Sequence, residues 1–132
     1  MKSFFPWGAV GLLLGAISGV TLFSQNSMIK RTIVERADVS VPGREAVIAH
    51  VEVAPGGHAG RHTHPGEEIS YILEGQGEIV VEGAPVKPVK AGSGFVIPNG
   101  AKHDARNTGS GPLKLVAIYL VEKGKPIATP AP

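Results

Sequence analysis

The chain has 132 residues, 42% of them hydrophobic, which is enough for one small domain with a modest core and too little for two. Its formal charge is only +2, and its basic residues are scattered among acidic ones, so no nucleic-acid surface can be read in it. The absence of cysteine excludes disulfide frameworks and thiolate sites, leaving nitrogen and oxygen as the only metal donors.

The first element is Lys2 followed by an uncharged stretch over residues 3–28, most apolar at residues 9–23. A short basic start before an apolar run is the pattern of an export signal, and residues 1–28 are assigned to it. An uncleaved signal-anchor is the competing reading, since a spanning helix needs about 20 apolar residues. Either reading predicts a periplasmic or secreted address, free or tethered to the inner membrane, with membrane contact through this segment alone.

The folded domain is expected over residues 29–122, as many short strands, because 18 glycines and 11 prolines favour turns. Residues 32–36 read as an edge strand. In residues 46–53, Val47, Ala49, Val51 and Val53 share one face and Ile48, His50 and Glu52 the other, the alternation of a half-buried strand. From residue 68 to 74, Glu68, Ser70 and Ile72 fall together and Ile69, Tyr71 and Leu73 lie opposite. If Glu68 faces inward, that second, apolar set faces outward and needs a cover. Gly75-Gln76-Gly77 reads as a tight turn with a returning strand over residues 78–82, and residues 113–121 as an interior strand. The prolines of residues 123–132 remove backbone donors, so this end is expected to be a loose tail. Regular short strands of this kind define an all-β sandwich or barrel.

The chemistry concentrates in two segments. His62 and His64, spaced i, i+2, lie on one face of an extended strand and can chelate one ion together. Glu68 follows a Pro-Gly bend with a carboxylate, and His103 sits in a second segment that strand pairing can bring alongside. Three imidazoles and a carboxylate suit one divalent transition metal: Fe, Mn, Ni, Cu or Zn. His50 and His58 are expected in structural or surface roles. Tyr71 and Tyr119 are read first as strand residues packed for area, with hydrogen bonding or acid chemistry as the other reading.

The spacing resembles that of the cupins. Their first motif, G-x5-H-x-H-x3/4-E-x6-G, falls on Gly56, His62, His64, Glu68 and Gly75, and their second, G-x5-P-x-G-x2-H-x3-N, on Gly92, Pro98, Gly100, His103 and Asn107. The resemblance implies a single-domain jelly-roll β-barrel and assigns the metal to His62, His64, Glu68 and His103. It selects Glu68 over Glu67, which is left as a solvated charge or a partner for a base such as Arg61. Asn107 is either an amide that orients a ligand or one that stabilises a turn. Similar small cupins include dioxygenases of flavonols, diketones and enediols, oxalate-degrading enzymes, isomerases and ligand-binding domains. The reading that follows is a metal-dependent, dioxygenase-like enzyme acting on a small organic molecule, with Glu68 as ligand and candidate proton acceptor. An exported protein that binds or senses a small molecule through the metal is the alternative. Small cupins are commonly homodimers, and the Ile69, Tyr71 and Leu73 face suits that arrangement.

Overall fold

The computed structural model describes residues 28–132, so the expectations for the export segment lie outside the described residues. Ten strands follow one another: β1 (Ile29–Asp38), β2 (Arg44–Val53), β3 (His62–Thr63), β4 (Gly66–Glu74), β5 (Gln76–Val81), β6 (Lys87–Lys90), β7 (Gly94–Ile97), β8 (His103–Asn107), β9 (Leu113–Glu122) and β10 (Thr129–Pro130). They form two five-stranded antiparallel sheets, ordered β1-β2-β9-β4-β7 and β10-β3-β8-β5-β6. The all-β jelly-roll expectation is borne out. Among the described residues no helix is long and apolar enough to cross a membrane.

Alternation decides which side chains enter the space between the sheets. Val47, Ala49, Val51 and Val53 of β2 are buried, as their pattern predicts, and so are Leu113, Leu115, Ala117, Tyr119 and Val121 of β9. Burying a large aliphatic side chain of this kind contributes about 1.5–3 kcal/mol. β9 lies between β2 and β4, the interior place its apolar faces require. On β4, Glu68, Ser70 and Ile72 are buried, whereas Ile69, Tyr71 and Leu73 are 41%, 53% and 48% exposed. Neither the second sheet nor β1 covers that outer stripe.

Two local expectations are corrected. Gly75 does not close a hairpin. β4 pairs with β7 and β9, while β5 pairs with β6 and β8, so the chain changes sheets at this residue. Gly75 takes φ +86°, and a Cβ there would lie 2.4 Å from the Pro112 carbonyl oxygen, so both the corner and the close approach require glycine. The C-terminal segment is also not a loose tail. Thr129 and Pro130 pair with Thr63 and His62, and Ala131 N donates to the Arg61 carbonyl at 3.0 Å. Proline is tolerated because β10 is a sheet edge, where one side of the strand needs no donor.

Candidate metal centre

The first sheet supplies a carboxylate and the second supplies imidazoles. Glu68 of β4 stands opposite Tyr119 of β9 and Ile97 of β7, in an inward-facing row. His62 of β3 stands opposite His103 of β8, so strand pairing brings the two motif segments together as their residues predict. His64 follows β3 directly. All four side chains are buried, and each offers a ligand atom within 4.8 Å of the others. The ring centroids lie 4.8 Å apart for His62 and His64, 4.2 Å for His62 and His103, and 4.9 Å for His64 and His103.

Each imidazole is oriented from behind by a backbone carbonyl. His62 Nδ1 donates to Gly60 O at 2.6 Å, His103 Nδ1 to Ala101 O at 2.9 Å, and His64 Nδ1 to Ile127 O at 2.6 Å. A carbonyl only accepts, so each Nδ1 carries the proton and each Nε2 turns to the centre. In a neutral ring that Nε2 is a lone pair. His64 Nε2 nevertheless lies 2.9 Å from Glu68 Oε2, and two acceptors at that distance need a proton or a cation between them. His103 Nε2 is 3.3 Å from the same oxygen, buried, and without a hydrogen-bond partner. Ser70 Oγ donates to Glu68 Oε1 at 2.6 Å and holds the carboxylate in place. An orphaned buried nitrogen and an acceptor-acceptor contact are what a metal-ligand set shows without its ion, so these residues fit a divalent transition metal.

Electrostatics favours the ligating protonation states. Burial pushes the His62 imidazole down to about 4, and the neighbouring His103 and His64 act in the same direction against the hydrogen bond to Gly60. Burial alone would raise the Glu68 carboxyl, but contacts with His103 and His64 and the Ser70 hydroxyl outweigh it and hold the group well below the usual carboxylate range. Burial, with the Glu68 charge adding to it, raises the Tyr119 phenol to about 12, so its hydroxyl stays protonated.

Asn107 stabilises a turn: its Nδ2 donates to Val53 O and Gly111 O, and its Oδ1 accepts from Gly109 N. Glu67 pairs with Arg44 at 3.7 Å, and Arg61 pairs with Glu82 instead. His58 Nδ1 contacts Asp104 Oδ2 at 3.0 Å, on the β8 face opposite to His103. His50 stands opposite Val116 on the outer face of the first sheet.

Two residues of the centre had no motif to announce them. A cavity of about 20 Å³ beside the cluster is lined by His62, Glu68 and His103, and also by Arg31 and Tyr119. Arg31 Nε donates to the Tyr119 hydroxyl at 3.0 Å, and the Tyr119 ring packs on His64 with centroids 4.7 Å apart. Period-two alternation within β9 did indicate that Tyr119 shares a face with Leu115 and Ala117.

A two-sheet β-barrel enclosing three imidazoles and a carboxylate defines a jelly-roll protein with a metal-binding type of centre. The chain belongs to the cupin family, whose Cupin_2 domain matches residues 49–119. An oxalate-binding protein of Thermotoga maritima is 37% identical over 76 residues, covering 57% of this chain and 62% of that protein. Germin-like protein 1-1 of Oryza sativa is 38% identical over 77 residues, covering 54% of this chain but 36% of the other. The chain thus spans between about a third and two thirds of these relatives. Among solved structures, recombinant oxalate oxidase in complex with glycolate superposes with a TM-score of 0.64 at 25% identity, covering 81% of this chain and 57% of that one. A cupin-like protein of Thermotoga maritima superposes with a TM-score of 0.66 at 21% identity, over 78% and 75% of the two chains, and shares the fold.

Two predictions follow from this geometry. A chain ending at Gly124 loses the Ile127 carbonyl that orients His64, and removing such a partner typically weakens metal binding 10- to 100-fold. Elemental analysis and metal titration of the truncated and full-length chains should show that loss, with His62→Ala/His103→Ala losing the metal altogether. Full metal content in the double variant would reject the ligand set.

The second concerns acid. With His62 held at about 4 against an ordinary 6.5, the unfolded chain takes up a proton that the folded chain refuses, so stability falls as pH drops from about 6.5 to 4. The lowered Glu68 carboxyl stabilises the fold above the ordinary value of 4.5, and that contribution is lost as pH falls further. Thermal unfolding of the chelator-treated chain should therefore show Tm declining below pH 6.5, with a shallower slope in His62→Gln. A flat profile from pH 6.5 to 4 would contradict the argument.

Proposed function

We propose that this cupin is a metal-dependent, dioxygenase-like enzyme acting on a small organic substrate, with one divalent transition metal ion held by His62, His64, Glu68 and His103. The observation that carries this reading is the small, mostly apolar cavity beside a ligand set whose His103 Nε2 is buried and unsatisfied. When bound, the ion supplies Lewis acidity and, if it is Fe, Mn, Ni or Cu, redox chemistry. The similarity to oxalate oxidase supports the oxidoreductase class.

The protein's own contribution is orientation and exclusion of water. Val51, Ile79, Phe95 and Leu115 wall the cavity with hydrocarbon. Its volume of about 20 Å³ compares with the ~10–15 Å³ that one water needs, so the space directly beside the cluster is that of a small group. While His64 and His103 hold Glu68, its low pKa makes it a weak proton acceptor. The role proposed for it in turnover, accepting a proton, therefore requires the carboxylate to withdraw from those imidazoles.

A binding protein without turnover is the second reading, favoured by the relative named as an oxalate-binding protein. Glu68→Gln separates the two readings, because it preserves size and one oxygen donor while removing charge and basicity. If Glu68 accepts a proton, oxygen uptake by the metal-loaded chain with small acids and enediols should fall by roughly 10²-fold or more while the substrate still binds. No uptake by the wild type with any such compound, alongside measurable binding, would favour the binding protein.

We also propose a homodimer formed through the outer face of the first sheet. Ile48, Ile118, Ile69 and Val96 stand opposite one another across β2, β9, β4 and β7, making an apolar row over four strands, with Tyr71 and Leu73 beside it. Ile69 and Val96 are 41% and 62% exposed in the single chain. A two-fold axis lets such a row pack on its own copy, and apolar burial contributes about 25 cal/mol per Å². Light scattering at micromolar concentration should give twice the chain mass. Ile69→Glu should return the monomer, and a monomeric wild type would reject this interface.

A further inference from the structure

Arg31 is a cation at the cavity with no carboxylate within ion-pair distance. It stands opposite Val51 in the β1–β2 pair, and directly opposed residues of an antiparallel pair point to the same face. Val51 is buried in the core, so Arg31 is carried inward, where it is half-buried and lines the cavity with His62, Glu68 and His103. Among the described residues each of the other four arginines reaches a carboxylate: Arg36 to Glu45, Arg44 to Glu67, Arg61 to Glu82 and Arg106 to Asp104. Arg31 reaches none. Its Nε is taken by the Tyr119 hydroxyl at 3.0 Å, and its guanidinium carbon lies 5.5 Å from the Tyr119 ring centroid.

Charge counting sharpens the point. Glu68 contributes −1, Arg31 contributes +1, and a divalent ion on the cluster contributes +2, leaving an excess of +2 in a cavity walled by hydrocarbon. Unbalanced charge in such a place is costly unless a counter-ion is bound there. The ligand of this cavity should therefore be an anion. A guanidinium with its Nε occupied still presents its two terminal nitrogens, whose planar geometry suits a carboxylate. Phosphate also presents paired oxygens to a guanidinium, so it is the control anion of the test.

We propose that Arg31, braced by Tyr119, is the specificity-determining residue of the cavity, and that it selects a short carboxylic acid by pairing with its carboxylate. The inference rests on the reading of the cluster as a metal centre and deepens it by naming the substrate class. The Tyr119 hydroxyl, which accepts the hydrogen bond from Arg31 Nε, keeps its own proton to donate to a second oxygen of the same ligand.

The test uses the full-length chain loaded with Mn²⁺ and isothermal titration with glycolate, oxalate, the neutral isostere glycolamide, and inorganic phosphate. Glycolate and oxalate should bind at least 10-fold more tightly than glycolamide or phosphate. Arg31→Met should weaken carboxylate binding roughly 10-fold or more with metal content and circular dichroism unchanged, and Arg31→Lys should recover part of the loss. Equal glycolate affinity in wild type and Arg31→Met, or no preference of the wild type for carboxylates, would overturn the proposal. If Arg31→Met does not fold, the wild-type preference for glycolate over glycolamide decides alone by the same margin. The two readings fail separately. Oxygen uptake with a carboxylate-free substrate, undiminished in Arg31→Met, would sink this inference and leave the enzyme standing. Carboxylate binding that depends on Arg31, without any oxygen uptake, would keep this inference and sink the oxygenase.

Discussion

A buried imidazole can present a lone pair to a cation only if its other nitrogen has somewhere to put a proton, and that requirement organises this molecule. For His62 and His103 the acceptor is local, the carbonyl two residues earlier in the chain, so the bend into each strand orients its own ligand. For His64 the acceptor is Ile127 O, 63 residues away in sequence. The C-terminal segment is therefore part of the centre, and its short pairing with β3 holds that carbonyl where the ring needs it. Without such partners the three rings could rotate, and the common focus of their Nε2 atoms would be lost.

The second constraint is the period of the strand. Glu68 enters the barrel because it shares a face with Ser70 and Ile72, and the same alternation forces Ile69, Tyr71 and Leu73 outward. A slip of one residue would exchange the two sets, bringing a phenol and aliphatics to the imidazoles and exposing the carboxylate. The apolar outer stripe and the buried ligand are thus two consequences of one register. β4 is held in that register from both sides, by β9 and by β7.

What was legible in the sequence was local or strictly periodic. The ligand spacings, the faces of β2 and β4 and the interior place of β9 rest on distances of a few residues, and the structure shows each of those arrangements. Long-range partners were not legible. Nothing near Ile127 marks its carbonyl as an acceptor for His64, and prolines that argue against a ladder do not prevent pairing at an edge. Gly75 looked like a hairpin because the local signal for a reversal does not reveal which sheet receives the next strand. Arg31 escaped notice for a different reason. The edge strand read from the sequence, residues 32–36, starts after Arg31 and straddles the bulge between Ile33 and Glu35, so the face that Arg31 occupies was not counted.

The register of β1 ahead of its bulge matters to the electrostatics of the centre. Before the bulge, Ile29, Lys30, Arg31, Thr32 and Ile33 pair in step with Val53 back to Ala49, and this register carries Arg31 inward beside Tyr119. A shift of one residue would put Lys30 or Thr32 at the cavity wall. Lysine would bring a charge without the planar fork, and threonine would bring no charge at all. β1 is paired on one side only and most of its residues are exposed, whereas β9 and β4 are paired on both sides. Glu68, His62 and His103 stand on strands with a neighbour on each side, while the cation that faces their cavity stands on an edge strand. Irregularity in β1 is confined to the residues beyond Ile33, which leaves the segment bearing Arg31 in unbroken register with β2.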